Sequence, residues 1–411
     1  MITLYSGEIF INPIPLHLSL NYCSYKCAYC FANLNNPGRS FDAKKFQSQI
    51  KNYWKQDNLV AQLMRDKYPV LLSNTVDPFA TSNYQFTQPI MDQLNTLDIP
   101  VTFQTRGASN AKAEEALLHV MQTTPKSLWY ISITTTDEKI RQKVEPGAPS
   151  IEHRLNLIDN LIHYGHKVAV GINPYDEEWI PDLDQFVKLL YSKGVRNIWF
   201  GILHFNNMQI ANMTENEKIA IGAQRLTQSK KQEDIKFDSL QDKIDNFKIK
   251  YPDLHCFLSL DGKENHFFDI YAETYENKFP VFSDFFNWIY SNKKPGDLIY
   301  FNELRQIFEP QLPKGKYDFS GLAYAAQRGD YKKPEIREFI MSFKEVSLID
   351  YVRTLWNNEK FGFKLNRKHG YASLVHADGQ DDYSLTLDEQ GNEIFVFDPI
   401  NNHDDEMYVS R

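Results

Sequence analysis

Short apolar runs alternate with longer stretches of helical period through the first half of the chain. Ile14 to Leu20, Val70 to Ser73, Ile99 to Gln104, Leu128 to Ile133, Lys167 to Ile172 and Val195 to Leu203 read as six strands. Ala43 to Met64, Gln88 to Leu97, Ala111 to Thr123, Ile151 to Tyr164 and Leu183 to Ser192 read as helices. On the fourth of these, Leu155, Ile158 and Ile162 form one apolar stripe. Apolar strands separated by helices of this length indicate βαβ units in a parallel sheet. Six such units predict an α/β fold, a partial (β/α)6 TIM-like barrel. The functional loops of such a barrel lie at the C-terminal ends of its strands. The polar clusters Asn74-Thr75-Val76-Asp77-Pro78, Thr105-Arg106, Thr134-Thr135-Thr136 and Asn173-Pro174-Tyr175 all fall at those ends.

After Phe205 the pattern changes. Thr214 and Glu217 form a capping box, and Lys230 to Lys250 is a mixed-charge run that reads as a solvated helix face. From Pro280 the chain is rich in aromatic helices: Phe282 to Tyr290, Glu303 to Phe308, Pro334 to Phe343 and Leu348 to Trp356. Tyr383 to Leu387 and Ile394 to Phe397 flank Gly391-Asn392, a hairpin signal. The expected organisation is a barrel over 1–210, a connector or barrel extension over 211–279 and an appended C-terminal α+β domain over 280–411. A lid closing the barrel mouth is the expected role of residues 210–411, with 280–411 as a cap or substrate domain.

With 411 residues, of which 42% are hydrophobic, the chain has enough apolar surface for a large core. No N-terminal signal pattern and no apolar run of membrane-spanning length is visible, so a cytoplasmic protein is expected. A net charge of −8 lowers the expectation of a nucleic-acid polymer as partner. The locally basic stretch from Lys314 to Lys368 keeps nucleic acid as a second reading. Most of the 28 Phe and 23 Tyr belong to the core, leaving a minority to stack on a flat substrate.

Cys23, Cys27 and Cys30 form a Cys-x3-Cys-x2-Cys run, and Cys256 is the one other cysteine. Three thiolates hold three irons of a [4Fe–4S] cube and leave the fourth iron open, whereas purely structural clusters use four. A zinc site asks for four closed ligands. His17 or Cys256 is available as a fourth, but no second Cys-x2-Cys pair follows.

The stretch from His17 to Phe205 resembles the radical S-adenosylmethionine (SAM) superfamily, in its spore photoproduct lyase and DNA-repair-photolyase-like branch. The resemblance rests on Cys23 to Phe31, with an aromatic before the third cysteine, and on Asn74-Thr75-Val76-Asp77-Pro78 and Phe103-Gln104-Thr105-Arg106. It also rests on Ser132-Ile133-Thr134-Thr135, on Glu145-Pro146-Gly147-Ala148-Pro149 with Arg154, and on Asn173-Pro174-Tyr175. It implies that Cys23, Cys27 and Cys30 hold a [4Fe–4S] cluster whose open iron is chelated by SAM. It further implies reductive cleavage of SAM to a 5′-deoxyadenosyl radical, fed by an electron donor such as flavodoxin or ferredoxin. Arg106 is then the partner of the SAM carboxylate, Ser132 a further hydrogen bond, Asn74 and Thr75 the SAM-amine motif, and Tyr29 a flank of the adenine. Glu145 with Arg154 reads as a structural ion pair.

One departure narrows the reading. Spore photoproduct lyases carry a hydrogen-donating cysteine where this chain has Asn74, which argues against thymine-dimer repair. The cysteine count also argues against extra clusters. The expected target is therefore a small nucleobase-like molecule, such as a 7-deazaguanine of the queuine type, cleaved at a C–N or C–C bond by a lyase. Asp77, Asn173, Tyr175 and His204 are its candidate contacts. Repair or modification of DNA or RNA is the alternative, and a non-enzymatic zinc or iron–sulfur module the third reading.

Overall fold

The computed structural model describes residues 1–5, 9–10, 12–30, 41–73, 76–202, 213–222, 230–258, 269–320, 342–357, 374–376 and 386–398. Its main sheet has eight strands in chain order: β1 (Ile2–Leu4), β2 (Leu16–Leu18), β3 (Val70–Leu72), β4 (Val101–Thr105), β5 (Leu128–Ser132), β6 (Lys167–Tyr175), β7 (Asn197–Ile202) and β8 (His255–Leu258). All neighbours run parallel from β2 to β8, and β1 pairs antiparallel with β2 at one edge. The order is sequential and no pairing joins β8 to β1, so the sheet is an open barrel. The six expected strands correspond to β2 through β7; β1 and β8 are additions at the two edges.

Polar residues at the strand-to-helix turns start the helices. The side chains of Asn110, Asp137, Ser150 and Asp182 each accept a backbone N–H of the first helical turn that follows. The expected continuous helix from Ala43 to Met64 is instead two. The helix Ala43–Asn52 runs into a 3-10 turn at Tyr53–Lys55, and Asn58 caps a new helix at Leu59–Arg65. The cap-forming Asn58 ends the continuity that apolar period alone suggested.

Strand alternation divides the sheet into two faces. Leu18, Leu72, Phe103, Ile131, Val170 and Phe200 pack under the helices in the main core. On the other face, the barrel lumen, Gln104, Tyr130, Ala169 and Asn197 lie side by side. One layer nearer the C-terminal ends stand Ser132, Gly171, Trp199 and Phe257. Cys256 lies on β8 with its side chain in the helix-side core, which makes it a packed cysteine.

The lumen is stoppered at its N-terminal end. Ile270, Tyr271 and Tyr275 join Leu71, Leu128 and Tyr130 in one apolar cluster. The Tyr275 hydroxyl donates to Val101 O (2.9 Å) and accepts from Thr102 Oγ1 (2.7 Å) and Leu128 N (2.9 Å). Around this plug, Lys167 pairs with Glu273 at 2.8 Å, Asn277 donates to Asp66 O, Tyr68 donates to Gln311 O, and Phe279 N donates to Pro13 O. Each contact lies at or just before the start of a strand. Among the described residues, the segment after Asp269 therefore closes the barrel floor.

The C-terminal part is α+β, with helices at Phe282–Asn292, Phe301–Phe308 and Leu348–Asn357. Its strands are β9 (Leu298–Ile299), β10 (Lys316–Tyr317), β11 (Val346–Ser347), β12 (Leu374–His376) and β13 (Phe395–Phe397). They form a three-stranded sheet β12-β13-β9 and a β10-β11 pair. The expected hairpin survives as a Leu387–Glu393 bridge around Gly391, while β13 pairs with β12 and β9. Residues 383–385 of that hairpin and 334–341 of the expected helix lie outside the described residues. The main core runs from the barrel into this part through Phe279, Phe282, Phe308 and Tyr351. No helix of the described residues is long and apolar enough to cross a membrane.

Candidate active site at the barrel mouth

The cysteine run follows β2 and lies at the C-terminal end of the sheet. Cys23, Cys27 and Cys30 share one small apolar cluster with Tyr25, Tyr29, Ala80 and Ala148. Cys27 is buried, and Cys23 and Cys30 are half-buried. Tyr25, with no exposed surface, anchors the loop by donating its hydroxyl to Gly107 O. Cys30 N closes a turn on Cys27 O at 3.1 Å.

Burial, reinforced by the Asp77 carboxylate, pushes the Cys23 thiol up to about 11. Burial pushes Cys27 up further, against a smaller opposing pull from Arg106. Such thiols are not nucleophiles on their own, because the thiolate is the reactive form. A coordinating cation removes their protons outright. Among the described residues no three His, Cys, Asp or Glu side chains form a cage for a single ion. A cube does not ask for one, since each thiolate takes its own iron. Two buried hydroxyls at this end, Ser24 Oγ between the first two cysteines and Ser73 Oγ at the end of β3, have no hydrogen-bond partner among the described residues. Unpartnered buried polar atoms are costly and mark places where a bound group belongs. The donor set and these orphans fit an iron–sulfur cluster with a polar organic ligand beside it.

Glu145 organises the wall next to the cysteines. Its carboxylate, fully buried, pairs with Arg154, also fully buried, and with Arg106 Nε at 3.1 Å. Tyr29 OH and Thr134 Oγ1 both donate to it. Burial alone raises its pKa, but Arg154 and Arg106 outweigh that and hold the carboxyl down to about 2. Arg106 Nη2 also donates to Tyr29 OH at 2.9 Å, and one fifth of the Arg106 side chain remains exposed. Arg154 fixes the end of β5 by donating to Ser132 O at 3.1 Å. The Glu145–Arg154 pair is thus an ion pair, as read from the sequence, and Tyr29, Arg106 and Ser132 all meet its network.

The four candidate substrate contacts separate. Asp77 spends its carboxylate on the local fold: Oδ1 accepts from Phe79 N (2.9 Å) and Thr105 Oγ1 (2.8 Å), and Oδ2 from Arg106 N (2.6 Å). It ties the loop after β3 to the end of β4, a correction to its reading as a substrate contact. Tyr175 is also corrected. A register shift between Ile172 and Tyr175 turns its ring into the helix-side core, edge-on to Phe200. Asn173 stays at the lumen. Its amide oxygen lies 2.5 Å from where a Cβ on Gly201 would stand, so a glycine is what lets it lie across β7. Asn74, Thr75 and His204 lie outside the described residues.

Gly147, Tyr25 and Thr134 were missed by sequence reasoning as parts of this site. The glycine within Glu145-Pro146-Gly147-Ala148-Pro149 was the available signal, since a glycine can mark a close approach of two backbones as well as a turn.

Residues 18–190 match the family described as the radical SAM superfamily. An uncharacterized protein, ORF301, of Acidianus two-tailed virus is 22% identical over 205 residues, covering 46% of this chain and 66% of its own length. A radical SAM Nalpha-GlyT isomerase of Pseudomonas phage M6 is 24% identical over 155 residues, covering 37% of this chain and 31% of its own. The chain thus spans less than two thirds of either relative's length. Among solved structures, spore photoproduct lyase complexed with dinucleoside spore photoproduct is similar with a TM-score of 0.42 and 13% identity, covering 60% of this chain and 76% of that one. Residues 18–190 are a radical SAM domain, whose cofactors are a [4Fe–4S] cluster and SAM.

Proposed function

We propose that this radical SAM enzyme is a lyase that cleaves a C–N or C–C bond of a small nucleobase-like molecule, with a 7-deazaguanine of the queuine type as the model substrate. The observation that carries the site assignment is the gathering of Cys23, Cys27 and Cys30 in one cluster beside the Glu145–Arg106–Tyr29 network. When bound, the reduced cluster and SAM supply a 5′-deoxyadenosyl radical, with the electron coming from a donor such as flavodoxin or ferredoxin. Cys23, Cys27 and Cys30 hold three irons. Arg106 binds the SAM carboxylate through its exposed edge, and a guanidinium suits that task because it pairs bidentately. Glu145 keeps Arg154 when Arg106 turns to this second carboxylate. Ser132, Tyr29, Asn74 and Thr75 complete the SAM contacts.

The substrate lies in the lumen below. Tyr130 and Trp199 line its face with aromatic surface, the Tyr130 ring lying over Gly171 and the Asn173 amide over Gly201. Asn173 presents an amide able both to donate and to accept, which matches the edge of a heteroaromatic base. His204 is retained as a further contact. The closed floor excludes water from that end, which protects a radical intermediate.

A second reading keeps the radical and changes the outcome. The phage relative is an isomerase, and an isomerase returns the hydrogen to a rearranged product. Its target here is a base within DNA or RNA. The deciding experiment is anaerobic turnover with dithionite and SAM across free modified bases, nucleosides and DNA. Acceleration of 5′-deoxyadenosine formation by a free base, insensitive to salt, supports the lyase reading. Conversion of DNA alone to an isomeric product without matching 5′-deoxyadenosine, falling steeply with salt, replaces it with the second.

A further inference from the structure

We propose that the segment Val144–Pro149 is a cradle that sets the position of the cysteine loop, with Gly147 and Glu145 as its positioning residues. The proposal rests on the reading that Cys23, Cys27 and Cys30 hold the cluster. The segment lies far from the loop in sequence yet meets it at successive points. Ala28 N donates to Val144 O at 2.8 Å, and Gly147 N donates to Tyr25 O at 3.0 Å. Tyr29 OH donates to the Glu145 carboxylate. Ala148 packs in the cysteines' own apolar cluster, and Val144 packs against Ala28 in the neighbouring one. These contacts bracket Cys27 and reach to the residue before Cys30.

The approach is backbone to backbone. A Cβ on Gly147 would stand 2.7 Å from Ser24 O, 2.9 Å from Tyr25 Cα and 3.0 Å from Tyr25 O. No flexible side-chain tip is there to give way, so an alanine must push the cysteine loop as a unit. Gly147 is not among the positive-φ glycines, so the cost of alanine comes from this contact alone. The cradle is itself fixed from behind. Arg141 Nη1 donates to Glu145 O (3.0 Å) and Ala148 O (2.8 Å), and Arg154 holds Pro149 O and the Glu145 carboxylate. Three sulfurs must meet one rigid cube within a few tenths of an ångström, and this demands a supporting shell of that kind.

The test reconstitutes wild type, Gly147→Ala, Tyr29→Phe and the exposed control Lys143→Ala without oxygen. Iron and sulfide per chain, the electron paramagnetic resonance line shape of the reduced cluster and its lifetime in air are then measured, with thermal melting as the fold control. The cradle predicts that Gly147→Ala melts near wild type but takes up several-fold less iron. It predicts that Tyr29→Phe loads with iron but shows a changed line shape and a several-fold shorter lifetime, while Lys143→Ala matches wild type. Full loading of Gly147→Ala with a wild-type line shape overturns the proposal. If Gly147→Ala melts far below wild type, Tyr29→Phe decides, and an unchanged line shape and lifetime overturn it. A wild-type chain that takes up no iron and sulfide sinks the cluster assignment itself.

Discussion

The two ends of one barrel treat their polar groups in opposite ways. At the floor, the Tyr275 hydroxyl makes three hydrogen bonds, each to the start of a strand. At the mouth, Ser24 Oγ and Ser73 Oγ are buried without a partner among the described residues, and one fifth of the Arg106 side chain is exposed. A saturated network rigidifies, whereas an unsaturated one is stable only if another molecule completes it. We propose on this contrast that the floor is scaffold and the mouth is site, although the same strands build both.

The sharpest way to break that contrast is at the mouth's own scaffold. Arg154→Met leaves the Glu145 carboxylate buried with less counter-charge and should cost about 3–5 kcal/mol in urea denaturation. A cost under about 1 kcal/mol would show that Arg106 alone suffices. The same pair sets an acid limit. The carboxyl of Glu145 is held below its ordinary value, so its contribution to stability is present above about pH 4.5 and is lost as pH falls toward about 2. In Glu145→Gln that part of the pH dependence should disappear from a denaturation series.

At the floor, Tyr275→Phe strands the Leu128 N–H and should cost about 1–3 kcal/mol of stability. Its 5′-deoxyadenosine yield per loaded cluster should not change, and a selective fall in that yield would erase the division between scaffold and site. The smallest effect on stability is expected in the lumen. Asn173→Ala should shift stability by no more than about 0.5 kcal/mol. It should raise the substrate KM about tenfold, the worth of one hydrogen bond, while SAM cleavage without substrate is kept.

Much of the mouth was legible in the chain itself. The six parallel strands, the polar clusters at their ends and the cysteine run are local patterns, and the strands fell where their period placed them. What escaped is long-range. β8 is four residues, His255–Leu258, too short for a period to declare itself. The Tyr271 and Tyr275 plug has no local signature, because its partners lie 147 to 174 residues away. Tyr175 was misplaced because a register shift at the end of β6 moved its ring to the other face. Asp77 was misread because an acidic residue before a proline is equally a loop-closing acceptor, and three donors converge on it here.

The most direct test of the central claim is the electron paramagnetic resonance spectrum of the reduced, anaerobically reconstituted protein with and without SAM, beside Cys27→Ala. The account predicts a [4Fe–4S] signal that changes when SAM is added and is absent from Cys27→Ala. A cluster signal indifferent to SAM, or zinc in place of iron, would contradict it.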